Sequence, residues 1–185
     1  LLGSANSSLI VGRFYGVDIR KHGSGNAGTT NTLRTLGKLP ALLVLAGDAL
    51  KGVIACLAGL LIEGDTGLMA AGLASVLGHN WPLYFGFKGG KGVLTSAAVL
   101  FMMDWRIGLV LLVVFAAVVG ITRYVSLGSI ISAAAFPVLS LIMNRGTEFI
   151  LFALFLAVLV IIRHRANIKR LIEGTESKLG ARKDA

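Results

Sequence analysis

The chain has 185 residues, of which 55% are hydrophobic and only 15% charged, with a mean hydropathy of +0.81. Soluble domains carry about 25% charged residues, so this balance excludes an ordinary soluble domain and reads as an all-α, polytopic integral membrane protein. The net charge of +9 would suit a nucleic-acid partner, but the basic residues are not interleaved with aromatics, and membrane topology accounts for them better. The single cysteine, Cys56, excludes an intrachain disulfide or a cysteine metal cluster.

In chain order, Leu1–Gly12 reads as the end of a first helix, unusually polar at Ser4, Asn6, Ser7 and Ser8. It is shorter than the roughly twenty residues a span needs, so the first helix is expected to be truncated or to run on through Gly12–Gly16. Arg13–Lys38 is a polar segment rich in Gly, Thr and Asn. Leu39–Ile62 predicts a second span, interrupted by Asp48 and Lys51. These are i and i+3 on one helical face and pair either as structural glue, the favoured reading, or as a functional site. Glu63–Thr66 is an acidic turn; Gly67–Leu77 begins a third span that ends near Gly78-His79-Asn80-Trp81-Pro82. A glycine–lysine stretch, Gly86-Phe87-Lys88-Gly89-Gly90-Lys91-Gly92-Val93, leads into a short fourth helix over Gly92–Met103. Ile107–Ile121, Val125–Met143 and Glu148–Ile162 are three further spans, and a basic tail, Arg163–Ala185, closes the chain. About seven transmembrane helices, some short, are thus expected in a single membrane-embedded domain, 1–185.

Of the 18 lysines and arginines, all but Arg106, Arg145 and the intramembrane Lys51 fall on one set of connections. The opposite connections carry Glu63, Asp65, Asp104 and Glu148. Positively charged connections face the cytoplasm, which puts the C-terminus there and the N-terminus outside. Every polar, glycine-rich or histidine-containing connection then also lies on the cytoplasmic side, more than topology requires.

Four stretches have chemistry to offer. Ser24-Gly25-Asn26-Ala27-Gly28-Thr29-Thr30-Asn31, with Arg34, combines hydroxyls, amides and a bidentate fork suited to glycerol or phosphate; a solvated loop with a helix cap would look the same. In Gly86–Val93, glycines free backbone amides to converge on an anion, lysine adds a point charge, and the next helix contributes the positive end of its dipole. The bland reading is a turn whose lysines fix topology. It is not a nucleotide loop of the G-x-x-x-x-G-K-[ST] type, since Gly86 to Gly90 is one residue short and Gly92 follows Lys91. His79, just upstream, either orients a phosphate or packs at a helix end. In Thr122-Arg123-Tyr124-Val125-Ser126-Leu127-Gly128-Ser129, Ser129 either faces the cytoplasmic cavity or packs another helix. In His164-Arg165-Ala166-Asn167-Ile168-Lys169-Arg170-Leu171, His164 and Asn167 share a helical face; alternatively the segment lies on anionic lipid. No His has Asp five residues later, no G-x-S-x-G elbow occurs, and the three histidines give no metal-ligand spacing.

Together SGNAGTTN, GDALKG at Gly47–Gly52, GHNWPLYFGFKGGKGV, TRYVSLGS and HRANIKRLIEGTE resemble one family over nearly the whole chain: the bacterial membrane acyl-phosphate:glycerol-3-phosphate acyltransferases. Ala27, where that family often has proline, and the polar opening depart from its pattern. The resemblance implies a seven-helix enzyme of the bacterial inner membrane with a cytoplasmic active site. Its substrates would be acyl phosphate and glycerol 3-phosphate, its products 1-acylglycerol 3-phosphate and phosphate, with membrane lipid around it and no cofactor or metal. The implied catalytic residues are Ser24, Lys91, His164 and Asn167. Substrate and phosphate binding falls to Thr30, Asn31, Arg34, His79, Gly89, Gly90, Lys91, Gly92 and Ser129. Acyl phosphate already has a good leaving group, so these residues need only hold two anions and orient a hydroxyl. The alternative class is a small transporter or channel for an anionic solute, although no internal repeat supports it.

Overall fold

The computed structural model describes residues 1–180, and within them every regular element is helical. The chain gathers into two compact units, Leu1–Asp104 and Trp105–Ala185. Ala181–Ala185, with Arg182 and Lys183 of the expected basic tail, lie outside the described residues.

The first unit begins with a 3₁₀ turn, Leu2–Ser4, and helix α1, Ser7–Phe14. Asn6 caps α1, its Oδ1 accepting from Leu9 N at 3.1 Å. After a second 3₁₀ turn at Ile19–Lys21, α2 spans Thr29–Leu36 and α3 spans Lys38–Asn80. That last helix is two arms. Glu63 and Gly64 leave helical geometry, and Gly64 takes the left-handed φ of +58° that glycine tolerates best. The arms 38–62 and 65–80 then fold back on each other: a Cβ on Gly59 would strike the Gly67 carbonyl, and one on Gly67 the Gly59 carbonyl. One turn further, a Cβ on Gly72 would sit 3.1 Å from Cys56 Sγ. The acidic turn expected at Glu63–Thr66 is therefore where the chain reverses. A 3₁₀ turn, Leu83–Phe85, and the glycine–lysine loop lead to α4, Val93–Met103.

The GDALKG motif organises this unit. Gly47 lets α1 approach, since a Cβ there would lie 2.6 Å from Ser7 Oγ. Gly52 does the same for α4, with the Thr95 carbonyl 3.2 Å from its Cβ direction, and Thr95 Oγ1 donates to the Asp48 carbonyl at 3.1 Å.

The second unit comprises α5, Trp105–Thr122; α6, Val125–Ile142; α7, Thr147–Arg163; and α8, Arg165–Ile172. Gly128 brings α6 against α5, where a Cβ would come 2.7 Å from Val119. Phe136 and Phe149 meet edge to face at 5.8 Å between α6 and α7.

Among the described residues three helical stretches are long and apolar enough to cross a membrane, Lys38–Phe85, Trp105–Thr122 and Val125–Ile142. They become four if Thr147–Arg163 and Arg165–Ile172, bent by 58°, form one span. The seven expected from sequence are not reached by this measure, because α1 and α4 have only 8 and 11 residues and the α3 hairpin counts once. The distribution of polarity suits a lipid solvent. Phe14, Leu61 and Ile62 are 86%, 87% and 82% exposed, while Asp48, Lys51 and His79 are buried.

Candidate active site

In the first unit, three sequence motifs meet at His79. Lys51 Nζ lies 2.8 Å from Asp48 Oδ1, 2.8 Å from His79 Nδ1 and 3.1 Å from the Ala5 carbonyl. An ammonium has three donors and no acceptor, so a charged Lys51 can direct one proton to each of these three atoms, and an imidazole that accepts at Nδ1 carries its own proton on Nε2. Asp48 Oδ1 also accepts from Ser7 N at 3.3 Å and lies 3.5 Å from His79 Nδ1. The three side chains are 1%, 4% and 4% exposed. Sequence reasoning favoured Asp48 and Lys51 as glue and did not connect them to His79; Lys51 and His79 lie 28 residues apart in the chain, and only the α3 reversal brings them together.

On the other side of His79 is the glycine–lysine loop. A Cβ on Gly90 would collide with both His79 Nε2 and the Ala27 carbonyl; one on Gly89 would strike the His79 carbonyl and Pro82 Cδ. Only glycine fits at either position. The amides expected to form an anion nest are differently employed: Gly90 N donates to the His79 carbonyl at 3.1 Å and Gly89 N to the Asn80 carbonyl at 3.3 Å. These two glycines provide close approach rather than open donors. Gly92 has φ +74° and caps α4 with no side-chain hydrogen bond. Lys91, just before it, is half-buried, whereas Lys88 is exposed.

The Ser24–Asn31 loop joins the same junction through Ala27. Asn31 is a clamp: its Oδ1 accepts from Ser24 N at 2.8 Å, and its Nδ2 donates to the Ile19 and His22 carbonyls, both at 3.0 Å. Expected to bind substrate, it also holds the loop that carries Ser24. Ser24 itself is exposed, Thr30 is half-buried in the first turn of α2, and Arg34 is exposed in its last turn. Asn80 was missed by sequence reasoning. It is fully buried beside Gly92, and neither amide atom has a hydrogen-bond partner among the described residues. Such an amide is normally met by ordered water or a ligand. A shallow cavity of about 370 Å³, lined by Leu9, Arg13, Val17, Asp18, Arg20 and Phe85, also belongs to this unit but includes none of the expected site residues.

In the second unit the motifs at residues 122–129 and 164–176 are tied together by Glu176, a residue the sequence reading did not single out. Its Oε1 accepts from Ser126 Oγ and from Asn167 Nδ2, each at 2.7 Å, and its Oε2 pairs with Arg170 Nε at 2.7 Å. Burial pushes the carboxyl up, but these three hydrogen bonds outweigh it and hold the group below its ordinary value. An acid within a basic stretch was the signal available. His164 is buried at the α7–α8 bend, its Nδ1 2.8 Å from the Val160 carbonyl. His164 is the residue just before α8, and Asn167 lies in its first turn. Ser129 is buried and donates to the Val125 carbonyl at 2.9 Å, so its proton serves its own helix and its oxygen remains an acceptor.

A family model described as glycerol-3-phosphate acyltransferase matches residues 1–174. A glycerol-3-phosphate acyltransferase of Thermoanaerobacter sp. (strain X514) is 49% identical over 181 residues, covering 97% of this chain and 91% of the relative. One from Clostridioides difficile (strain 630) is 50% identical over 192 residues, covering 100% and 93%. Among solved structures, PlsY (YgiH), an integral membrane glycerol 3-phosphate acyltransferase in its glycerol 3-phosphate form, superposes with a TM-score of 0.93 at 40% identity, covering 97% of this chain and 91% of that one. Its lysophosphatidic acid form gives 0.89 at 39% identity. The chain belongs to the glycerol-3-phosphate acyltransferase family.

Proposed function

We propose that the protein transfers a fatty acyl group from acyl phosphate to the primary hydroxyl of glycerol 3-phosphate. The hydroxyl oxygen bonds to the acyl carbon, the bond from that carbon to the phosphate oxygen breaks, and phosphate leaves. The products are 1-acylglycerol 3-phosphate and inorganic phosphate, with the hydroxyl proton passing to a phosphate oxygen of the substrate. We place the protein in the bacterial inner membrane as a seven-helix, multi-pass enzyme, with its active site and C-terminus cytoplasmic and its N-terminus outside.

The observation that carries this reading is the junction at His79, where Ala27 of the Ser24–Asn31 loop and Gly90 of the glycine–lysine loop are in contact. Ser24 and Thr30 lie on the first of these loops, Arg34 in the helix that follows it and Lys91 on the second, and hydroxyls, a guanidinium and an ammonium carried by two joined glycine-rich turns suit anionic substrates. Asn31, Gly89, Gly90 and Gly92 shape that cradle. His164, Asn167 and Ser129 are assigned to the same reaction. A neutral His79 offers an Nε2 proton as a hydrogen-bond donor at the junction, and a mixed anhydride requires no covalent nucleophile. Purified protein should release phosphate from acyl phosphate only when glycerol 3-phosphate is added. Transport of an anion by reconstituted protein, without such release, would replace the enzyme reading by the transporter reading.

A further inference from the structure

GDALKG lies inside the hydrophobic hairpin, and the proposed reaction leaves its two charges without a role. A buried ion pair is a poor device for stability, because the loss of hydration offsets most of the attraction between the charges. Here the pair does not close on itself. Lys51 Nζ stands as close to His79 Nδ1 as to Asp48 Oδ1, at 2.8 Å in each case. A protonated lysine cannot accept, so with Lys51 charged this contact favours the imidazole that bears its proton on Nε2. The opposite edge of that ring is in contact with Gly90 and lies beside the Ala27 carbonyl. The His79 carbonyl in addition receives the Gly90 amide at 3.1 Å. The ring is therefore held from α3 on one side and carries the junction of two loops on the other.

The remaining contacts fix the pair itself in place. Asp48 accepts the amide that opens α1, Lys51 donates to the Ala5 carbonyl just upstream, and the Asp48 carbonyl takes the Thr95 hydroxyl of α4. Three elements around the hairpin thus set the position of one ammonium, and the ammonium sets one ring.

We propose that Asp48 and Lys51 are positioning residues for acyl transfer. Acting through His79, they fix its Nε2-protonated tautomer and so set how the Gly89–Gly92 loop meets the Ser24–Asn31 loop. The inference rests on the acyltransferase reading given above. Displacement of reacting groups by about 1 Å can lower a rate by about a hundredfold, so residues that touch no substrate can still control turnover.

The test uses full-length protein in detergent with ¹⁵N-labelled histidine, the His79 ring signals being assigned with His79→Gln. Lys51→Met leaves Asp48 buried without its partner and risks misfolding. The double variant Asp48→Asn/Lys51→Met removes both charges together and serves as the second arm. The double variant should elute as a single species with the wild-type profile. Its His79 ring should lose the fixed Nε2-protonated tautomer, and its kcat should fall between about tenfold and a hundredfold. A merely structural pair predicts otherwise: removing both charges at once would restore the wild-type rate. A full rate in the double variant, or a His79 tautomer unchanged by it, overturns the proposal. If wild-type protein makes no lysophosphatidic acid at all, the acyltransferase reading fails, and the ring-nitrogen spectra still decide whether Lys51 sets the tautomer.

Discussion

Lys91 and Lys88 stand three residues apart in one loop, yet their settings differ: Lys91 is half-buried at the start of α4, and Lys88 is exposed. A charge in water is screened, whereas one partly shielded keeps its reach. Lys91→Met should fold in the membrane and lose about 3 kcal/mol of transition-state stabilisation, roughly a hundredfold in turnover. Lys88→Met should lose much less, and steady-state rates on monodisperse protein separate the two. Gly90→Ala tests the packing side of the same loop. Its Cβ would drive into His79 Nε2 and the Ala27 carbonyl, so turnover should fall by about tenfold or more through misplacement alone. Gly120→Ala, in α5 with open space around it, should be silent. Residue identity was legible here in advance, but not the use of each atom. The Gly89 and Gly90 amides were expected to face substrate and instead complete the chain's own hydrogen bonds, as the Asn31 side chain also does. Buried amide groups must find partners, and which partner wins depends on contacts between residues distant in sequence.

The stretch that follows α8 shows how an element's end can be fastened by one group. Gly174, at φ +70°, turns the chain, the Glu176 amide donates to the Arg170 carbonyl at 3.1 Å, and its carboxylate reaches Ser126 on α6. Three residues on, Leu179 N donates to the Arg123 carbonyl, and the Arg123 guanidinium donates back to the Leu179 carbonyl. The stretch after α8 is thus tied to α6 by Glu176 and to the α5–α6 connection by Leu179. Glu176 is held below its ordinary value, so the folded state binds its proton less readily than the unfolded chain. The stability it contributes is fully present above the ordinary glutamate value of 4.5 and is lost as pH falls through the lowered folded value. Thermal midpoints of wild type and Glu176→Gln should therefore differ by a constant amount near neutral pH and converge on acidification. A difference that stays constant into the acid range would mean that the carboxylate does not make these contacts as an anion. The apolar elements themselves were readable from sequence. The runs expected at 107–121, 125–143 and 148–162 match α5, α6 and α7 to within a few residues, because each is bounded by charge or glycine. The tie between 126 and 176 carries no periodic signal and was not readable.

For the described residues as a whole, the burial pattern is in part the inverse of a soluble protein's: many large apolar side chains are exposed, while Asp48 and Lys51 are buried in the first unit. That inversion agrees with the hydropathy from which the membrane reading began. The number of crossings was not legible in the same way. The reversal at Glu63–Thr66 was expected from its acidic residues, but α1 and α4, of 8 and 11 residues, are too short to count as spans by length. The central claim concerns the donor, and one measurement reaches it directly. Purified protein is given glycerol 3-phosphate with acyl phosphate, acyl-CoA or acyl carrier protein as the sole acyl source, and lysophosphatidic acid is quantified. Acyl phosphate alone should support product, matched mole for mole by phosphate released. Efficient product formation from either thioester, or none from acyl phosphate, would contradict the account.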